Sequence, residues 1–169
     1  MRVSLIITTY NKSDALSLVL KSIEGQTVPP KEVIIADDGS TKETQKMILD
    51  FQVTSTLNLT HSWQQDKGFR AAKSRNKAIV KSNSDYIVLI DGDMILHPQF
   101  IEDHISNAEP GYFVQGTRVL LTQSATQNVL AKMRTNFSFL SRGIKIEKTP
   151  SIQFFYPDYF QRKKITYAA

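Results

Sequence analysis

The chain contains no cysteine among its 169 residues. This absence excludes disulfide bonds, thiolate metal centres and cysteine nucleophiles, and it fits a reducing compartment. Long apolar runs are also missing, since the first run ends at the polar pair Thr8-Thr9, too early for a signal sequence or a membrane span. We therefore expect a soluble, cytoplasmic protein, with contact at the inner face of the cytoplasmic membrane as an additional option.

Sequence motifs of several common enzyme classes are missing as well. No Gly-x-Gly-x-x-Gly follows the first apolar run and no Gly-Lys-Ser/Thr loop occurs, which argues against dinucleotide-dependent oxidoreductases and P-loop NTPases. A serine hydrolase of the Gly-x-Ser-x-Gly type is excluded in the same way. The histidines His61, His97 and His104 lack metal-ligand spacing. The basic residues form no dense stripe, so we expect no nucleic-acid partner.

The composition suits one globular domain. Hydrophobic residues make up 41% of the chain, which is enough for a single packed core. The net charge of +5 and the pI near 9.4 favour partners that carry anionic groups. Charge alone does not choose among phosphate-bearing ligands, nucleic acids and anionic membranes.

Short apolar runs alternate with amphipathic stretches, a pattern typical of an α/β domain with a mostly parallel sheet. Strands are predicted at Val3–Thr8, Val33–Ala36, Leu57–His61 and Tyr86–Ile90, and helices are predicted to begin near Ser13, Ser40, Phe69 and Pro98. Ser40 and Glu43 have the spacing of a capping box. The helix from Phe69 to Lys81 has a basic face.

The C-terminal half has a weaker pattern. We predict two short strands at Tyr112–Val114 and Thr117–Leu121, and a long helix over Ser124–Leu140. The last stretch, Ile144–Ala169, is rich in basic and aromatic residues and is predicted to be irregular. Its aromatic side chains either contact an anionic membrane or pack against the sheet or a partner, and we favour packing.

Three of the predicted strands end in polar clusters. The clusters are Thr8-Thr9-Tyr10-Asn11, Asp37-Asp38-Gly39-Ser40 and Asp91-Gly92-Asp93. In an open α/β sheet, ligands bind outside the carboxyl ends of the strands. We therefore expect the three clusters to lie along one crevice and to form one site.

The tripeptide Asp91-Gly92-Asp93 allows two interpretations. Because glycine separates the two carboxylates, both can face one point, and two hard oxygen ligands suit Mg²⁺ or Mn²⁺ with positions left for phosphate oxygens. A surface turn after a strand is the alternative, since Asp and Gly are common there. The tripeptide alone does not decide between a metal site and a turn.

Other side chains near the strand ends are also open to two interpretations. Asp38 is placed to accept hydrogen bonds from a nucleobase, or else belongs to a turn that leads into a helix. Tyr10 either stacks on a base or packs against the protein. Three basic residues of the next helix either reach a diphosphate or form a solvated face: Arg70, Lys73 and Arg75.

Taken together, the ordered motifs resemble those of the GT-A fold glycosyltransferases of family 2. The motifs are Ile-Ile-Thr-Thr-Tyr-Asn-Lys at the first strand, Ile-Ala-Asp-Asp-Gly-Ser at the second and Ile-Asp-Gly-Asp-Met at the fourth. The segment from Gln65 to Ile79 is similar to one in bacterial members that build lipopolysaccharide, capsule and chondroitin-like chains. The resemblance covers roughly Arg2 to Leu121, so the domain boundaries are predicted as a nucleotide-sugar-binding core over 1–121 and a helix with an irregular tail over 122–169.

The resemblance implies a Rossmann-like nucleotide-diphospho-sugar transferase fold and an inverting hexosyltransferase that uses Mn²⁺ or Mg²⁺. It implies a UDP-sugar donor, a glycan or lipid-linked acceptor and, as an option, a homo-oligomer. Carried over residue by residue, it implies uracil contacts from Thr8, Tyr10 and Asp38, base or diphosphate contacts from Arg70 with Lys73 as a neighbour, a ribose contact from Asp91 and metal coordination by Asp93.

The chain departs from the family pattern after Leu121. The acidic Glu-Asp pair that carries the general base in similar members has no counterpart, and the later carboxylates Glu109, Glu147 and Asp158 lie in other contexts. The chain therefore resembles a C-terminally truncated member, with a catalytic residue that the sequence does not identify. Two alternatives stay open: a donor-binding module without catalysis, and a phosphatase with Asp91 as nucleophile and Asp93 as acid.

Overall fold

The computed structural model describes residues 1–135 and the backbone of residues 153–164. The strands are β1 (Val3–Thr9), β2 (Glu32–Asp37), β3 (Leu59–Trp63), β4 (Tyr86–Asp91), β5 (Met94–Ile95), β6 (Tyr112–Leu120) and β7 (Gln153–Lys164). The helices are α1 (Ser13–Glu24), α2 (Lys42–Thr54), α3 (Ala71–Lys81), α4 (Phe100–Asn107) and α5 (Gln123–Lys132). The alternation predicted from the sequence is confirmed over the first four strands and three helices.

The central sheet has the order β3-β2-β1-β4, and all its neighbouring strands are parallel. The chain moves outward from β1 to β2 and β3, and then crosses back to the other side of β1 to form β4. This reversal of direction creates a topological switch point between β1 and β4. In doubly wound sheets, ligands bind outside the carboxyl ends of the strands at such a point.

Helices cover both faces of the sheet, because successive side chains of a strand point to opposite faces. On one face, Leu5 and Ile7 of β1 pack in a core cluster with Leu16 and Leu20 of α1 and with Ile48 of α2. On the other face, a second cluster contains Ile6, Ile34, Ala36 and Ala78, with Ile79 packed against it. The β1 and β2 strands are therefore buried on both sides, as parallel strands usually are.

A smaller sheet with the order β5-β7-β6 lies beyond β4. Here three predictions are wrong. Residues 112–120 form a single strand with a register shift between Gln115 and Thr117, where two strands had been predicted. The tail that was predicted to be irregular contains β7, which pairs antiparallel with β6 and parallel with β5. The strand escaped prediction because its backbone pairs with distant residues and a proline interrupts its pattern.

The third wrong prediction concerns α5, which begins at Gln123 and ends at Lys132. Met133 adopts the left-handed conformation with φ of 47°, and this ends the helix short of the predicted Leu140. The predicted residues 136–140 lie outside the described residues, as do the side chains of the basic, aromatic tail. Among the described residues, no helix is both long enough and apolar enough to cross a bilayer.

His104 of α4 is a buried histidine held between two aromatic residues. Its imidazole Nδ1 is 3.1 Å from the hydroxyl of Tyr86, and its ring packs edge-on against Phe100. Burial lowers the pKa of His104 from 6.5 to about 4. The folded protein therefore keeps His104 neutral over a pH range in which the unfolded chain binds a proton.

We predict that this histidine makes the protein sensitive to mild acid. Because the pKa of His104 is lower in the folded state, protonation of this side chain favours the unfolded chain. The contribution of neutral His104 to the free energy of unfolding is complete above pH 6.5, and about 3 kcal/mol of it is lost as the pH falls towards 4. Urea unfolding of the wild type and of His104→Phe, at pH 7 and pH 4.5, measures this loss. The variant should lose clearly less stability between the two pH values, and equal losses would contradict the prediction.

Candidate functional site

A cavity of about 460 Å³ lies at the switch point between the carboxyl ends of β1 and β4. It is within the size range of small-molecule sites. The residues that line it come from all three predicted polar clusters, from α3 and from the loops next to them: Thr8, Thr9, Tyr10, Lys12, Asp38, Phe69, Ala71, Arg75, Asp91, Gly92 and Asp93. The expectation that the three strand ends form one crevice is confirmed.

The ends of β1 and β4 are held in close contact. Gly92 donates its backbone N–H to the carbonyl oxygen of Thr8 at 2.7 Å. A Cβ on Gly92 would lie 3.0 Å from that oxygen and 3.2 Å from the side chain of Thr9, so the position favours glycine for its small size. The hydroxyl of Thr9 is buried and has no hydrogen-bond partner in the described part of the chain, which leaves it available to a ligand.

Asp37 organises the loop that follows β2. Its fully buried carboxylate accepts hydrogen bonds from the backbone N–H groups of Gly39 and Ser40, and from His61 of β3 at 2.9 Å. Burial raises the pKa of Asp37, but the hydrogen bonds from His61 and Ser40 outweigh burial and lower it below its ordinary value of 3.8. Sequence reasoning missed this residue as a structural support, because its partner lies on another strand.

Ser40 ties this loop to the end of β1 and does not cap α2. Its hydroxyl oxygen accepts a hydrogen bond from the backbone N–H of Asn11, whose side-chain oxygen accepts one from the N–H of Thr41. The N-cap of α2 is Thr41, without a side-chain cap, so the predicted Ser40–Glu43 capping box is wrong. The tertiary contact between two strand ends competes successfully with the local cap.

Asp38 is buried, and both of its carboxylate oxygens are engaged by the protein. Oδ1 accepts a hydrogen bond from the side chain of Gln64 at 2.6 Å, and Oδ2 accepts one from the backbone N–H of Arg70 at 2.6 Å. Asp38 thus fixes the loop between β3 and α3 against the end of β2. It also lines the cavity, so its remaining lone pairs are available for a base N–H.

Tyr10 and Phe69 are the exposed aromatic residues at the cavity. Tyr10 is 50% exposed and donates its hydroxyl hydrogen to Asp66 at 2.9 Å. This hydrogen bond raises the pKa of Tyr10 and anchors the ring at one edge. Phe69 is 94% exposed and lines the same cavity. The cavity therefore presents two exposed aromatic rings to a ligand.

Each carboxylate of the β4 cluster is paired with a different cation. The Lys12 ammonium is 3.2 Å from Asp93, whose side chain is 18% exposed. The Arg75 guanidinium donates to Asp91 at 3.4 Å and to the hydroxyl of Thr8 at 2.9 Å. At the end of β4 the cavity therefore has two carboxylates with two basic groups beside them, which suits a ligand that combines a metal cation with phosphate.

The donor set at the cavity fits Mg²⁺ or Mn²⁺, because Asp91 and Asp93 supply hard carboxylate oxygens. Within residues 1–135, no group of three or more histidine, aspartate or glutamate side chains converges on one point. The described residues would therefore supply at most two carboxylate ligands there, and phosphate oxygens and water would be further ligands. A cation at Asp93 competes with the ammonium of Lys12.

Two of the predicted site residues lie away from the cavity lining. Arg70 contributes its backbone N–H to Asp38, while its guanidinium donates to the carbonyl oxygen of Gln65. Lys73 lines a separate cleft on the outer side of α3. Arg75, by contrast, lines the cavity as one of the two outcomes considered for it, and Lys12 lines the cavity although no role was predicted for it from the sequence. Lys12 could have been found from the sequence, because it is the last residue of the first motif. The ion pair of Arg75 with Asp91 could be found only from the fold.

The fold and the cavity together define a class of protein. An acidic pair at the switch point of a doubly wound sheet, with basic groups beside it, is the arrangement of enzymes that bind a nucleotide diphosphate compound. Comparison with known proteins agrees, because residues 4–167 match the sequence profile described as Glycosyl transferase family 2. The chain belongs to this family, and its fold is the GT-A fold.

Curated relatives carry glycan-related names. The chain is 31% identical over 150 residues to an O-antigen chain rhamnosyltransferase of Salmonella typhimurium, covering 85% of this chain and 45% of that protein. It is 33% identical over 104 residues to a hyaluronan synthase of Pasteurella multocida, covering 61% of this chain and 10% of that protein. The chain thus spans less than half the length of these relatives.

Solved structures show the same fold. TarS of S. aureus, in complex with UDP-GlcNAc, aligns with a TM-score of 0.55 and 27% identity over 63% of this chain and 30% of that one. A mannosyltransferase of Pyrobaculum calidifontis, in complex with GDP-Man and Mn²⁺, aligns with a TM-score of 0.62 over 76% of this chain and 38% of that one. At 22% identity, the second likeness supports the fold alone.

Proposed function

We propose that the chain is the donor-binding part of an inverting glycosyltransferase that uses a UDP-sugar and a divalent cation to extend a bacterial surface glycan. The observation that carries this proposal is the convergence of Asp91, Asp93, Asp38 and Tyr10 on one cavity at the switch point. Support comes from the family match and from the UDP-GlcNAc bound by TarS.

In this proposal, each part of the donor is contacted by different residues of the cavity. Tyr10 offers a ring face to the base, and Asp38 offers its free lone pairs to a base N–H. Asp91 is placed for the ribose, with Arg75 fixing its carboxylate at 3.4 Å. Asp93 would hold the cation, which neutralises the diphosphate as it leaves. Lys12, at 3.2 Å from Asp93, is a second positive charge for the phosphate oxygens.

The surface-glycan acceptor is proposed on the names of the relatives and on the basic charge of the chain. The names include an O-antigen chain rhamnosyltransferase and a chondroitin synthase. We place the reaction at the cytoplasmic side, where nucleotide-sugar donors would be available to it. Arg70 and Lys73 enter this proposal only as neighbours of the donor, since the cavity lining does not include them.

Calorimetry against a panel of UDP- and GDP-sugars tests the proposal directly. We expect UDP and its sugars to bind in the presence of Mn²⁺ or Mg²⁺, and to bind at least about 10-fold more weakly after chelation, since a cation held by Asp93 would supply positive charge to the diphosphate. GDP-sugars serve as the matched control for base recognition. Equal affinity with and without the metal would contradict the proposed use of Asp93.

Donor binding without transfer is a second candidate, and one observation favours it. The carboxylates that line the cavity in the described part of the chain are Asp38, Asp91 and Asp93, and each already accepts a hydrogen bond or an ion pair from the protein. Each of them is already assigned to holding the loops or the proposed donor, so no carboxylate of the cavity lining in the described residues is left to assign as general base. Asp158 lies within β7, and its side chain is outside the described residues. Release of UDP, measured with and without a glycan acceptor, separates the two candidates.

A further inference from the structure

A second cleft lies on the far side of α3 from the donor cavity. It has a volume of about 710 Å³ and is formed between the end of the edge strand β3 and the outer surface of the helix. Ala71 and Arg75 of α3 face the donor cavity, whereas Lys73 and Lys77 face this second cleft. The helix therefore separates the two.

The charged residues of the cleft all have the same sign. Lys73, Lys77 and Lys81 are spaced by four residues, so they form a row along one side of α3. At about 1.5 Å of rise per residue, the row extends over ~12 Å. All three are exposed, and no carboxylate from the described residues lines the cleft. Among the described residues, their ammonium groups have no hydrogen-bond or ion-pair partner, unlike Lys12 and Lys46.

An exposed tryptophan forms the wall opposite the lysine row. Trp63 ends β3 and is 50% exposed, although tryptophan is among the residues that most favour burial of their large ring. Its indole N–H donates to the carbonyl oxygen of Ser40 at 3.1 Å, which fixes the ring by its edge. Beside the lysines, Val80 is 86% exposed. The cleft thus combines a fixed aromatic surface, an aliphatic side chain and three free positive charges.

We propose that this cleft binds an anionic glycan chain, outside the donor cavity. The lysine row matches a ligand that carries several carboxylate or phosphate groups along its length. The indole of Trp63 offers an apolar surface, with a negative ring face, to the C–H groups of a sugar ring. The choice of a glycan rests on the proposed glycosyltransferase function, whose acceptor is of this class.

Two other anionic partners fit the cleft less well. Single-stranded nucleic acid is bound by several aromatic rings in succession, and among the described residues Trp63 is the one aromatic residue that lines this cleft. A bilayer surface is met by a broad apolar face, whereas the large apolar side chains that line this cleft in the described part of the chain are Trp63 and Val80 alone. A glycan bound in this cleft would keep a growing chain attached to the enzyme between additions.

Trp63 also supplies the measurement, because it is the only tryptophan in the chain. The probe is a hexasaccharide of alternating glucuronic acid and N-acetylglucosamine, titrated into the wild-type chain while tryptophan fluorescence is recorded. We expect a saturable change that weakens as salt is added. A neutral N-acetylglucosamine hexasaccharide should give no saturable change, and an equal response to it would overturn the proposal.

Charge-reversal variants locate the binding site. The double substitution Lys73→Glu/Lys77→Glu should weaken binding of the anionic hexasaccharide by at least 10-fold. The matched control is Lys21→Glu/Lys46→Glu, which makes the same change of charge on α1 and α2 at the opposite face of the sheet, and it should stay within twofold of the wild type. Circular dichroism confirms that both variants fold. Equal weakening in the two variants would overturn the proposal.

Two further titrations decide the class of ligand and separate this proposal from the donor site. Tighter, lysine-dependent binding of oligothymidylate or of phosphatidylglycerol vesicles would overturn the assignment to a glycan. UDP binding with Mn²⁺ is measured by calorimetry on the same variants and should be unchanged. If UDP binds but the hexasaccharide does not, the cleft proposal fails alone. If the hexasaccharide binds but UDP does not, the proposed donor site fails.

Discussion

Replacing Gly39 by alanine is expected to destabilise the protein by about 3 kcal/mol and to open the donor cavity. Gly39 has φ of +100°, a conformation that residues with a side chain rarely adopt. An added Cβ would lie 2.6 Å from the backbone N and Cα of Asp66, far inside contact distance. Because these are backbone atoms, the overlap is relieved only if the loop that carries Gly39 and the loop from Gln64 to Arg70 move apart.

Separation of the two loops would reach the site through three hydrogen bonds. Asp66 accepts the hydroxyl hydrogen of Tyr10, and Asp38 accepts hydrogen bonds from Gln64 and Arg70. We therefore expect Gly39→Ala to weaken UDP binding as well as folding. Urea unfolding measures the first effect of the substitution, and calorimetry with UDP and Mn²⁺ measures the second.

Gly68→Ala is the matched control, since it shares the backbone strain but not the overlap. Gly68 has φ of +79°, yet an added Cβ there meets nothing within 4 Å. Gly68→Ala should lower the free energy of unfolding by only about 1 kcal/mol, the lower end of the cost of placing a residue with a side chain in the left-handed conformation. If both variants lost the same stability, contact with Asp66 would not be the reason for glycine at position 39.

The second large effect is expected at Asp93. Asp93→Asn keeps the shape of the side chain but removes its charge, so it should weaken UDP binding in Mn²⁺ by about 100-fold, or ~2.7 kcal/mol. The residual binding should no longer respond to chelation, because Asp93 is the proposed link between the protein and the cation. Calorimetry with and without EDTA measures both changes.

Asp85→Asn is the control at the other end of β4. Asp85 is 54% exposed in its side chain and pairs with Arg2, outside the cavity. The same chemical change there should leave UDP affinity within about twofold, because an exposed ion pair contributes little. UDP binding by Asp93→Asn that still requires Mn²⁺ at wild-type affinity would remove Asp93 from the proposed metal site and leave its pair with Lys12 as a structural contact.

The chemistry of the site was largely predictable from the sequence. Polar clusters directly after apolar runs indicated three strand ends, and the rule that parallel strands share one ligand-binding edge placed them together. Tyr10, Asp38 and the Asp91–Asp93 pair indeed line one cavity. The family assignment, made on the same motifs, is confirmed by the match over residues 4–167.

Local signals were less reliable wherever a tertiary contact competed with them. Ser40 had the spacing of a helix cap, but its hydroxyl accepts a hydrogen bond from Asn11 of the β1 loop. Lys73 and Arg75 are two residues apart, yet they line different hollows because successive helical positions turn by about 100° around the axis. The sequence alone does not give the orientation of α3 about its own axis against the sheet, and this orientation decides which side each residue faces.

The sequence by itself determined the alternation of strands and helices, the family, and the acidic strand ends, because each of these depends on periodicity or on neighbouring residues. Only the tertiary structure decided that Lys12 pairs with Asp93, that Arg75 joins Thr8 to Asp91, and that Trp63 lies in one cleft with Lys73 and Lys77. These contacts connect residues far apart in the chain. They exist only once the sheet has brought β1, β3, β4 and α3 together, so no local pattern could encode them.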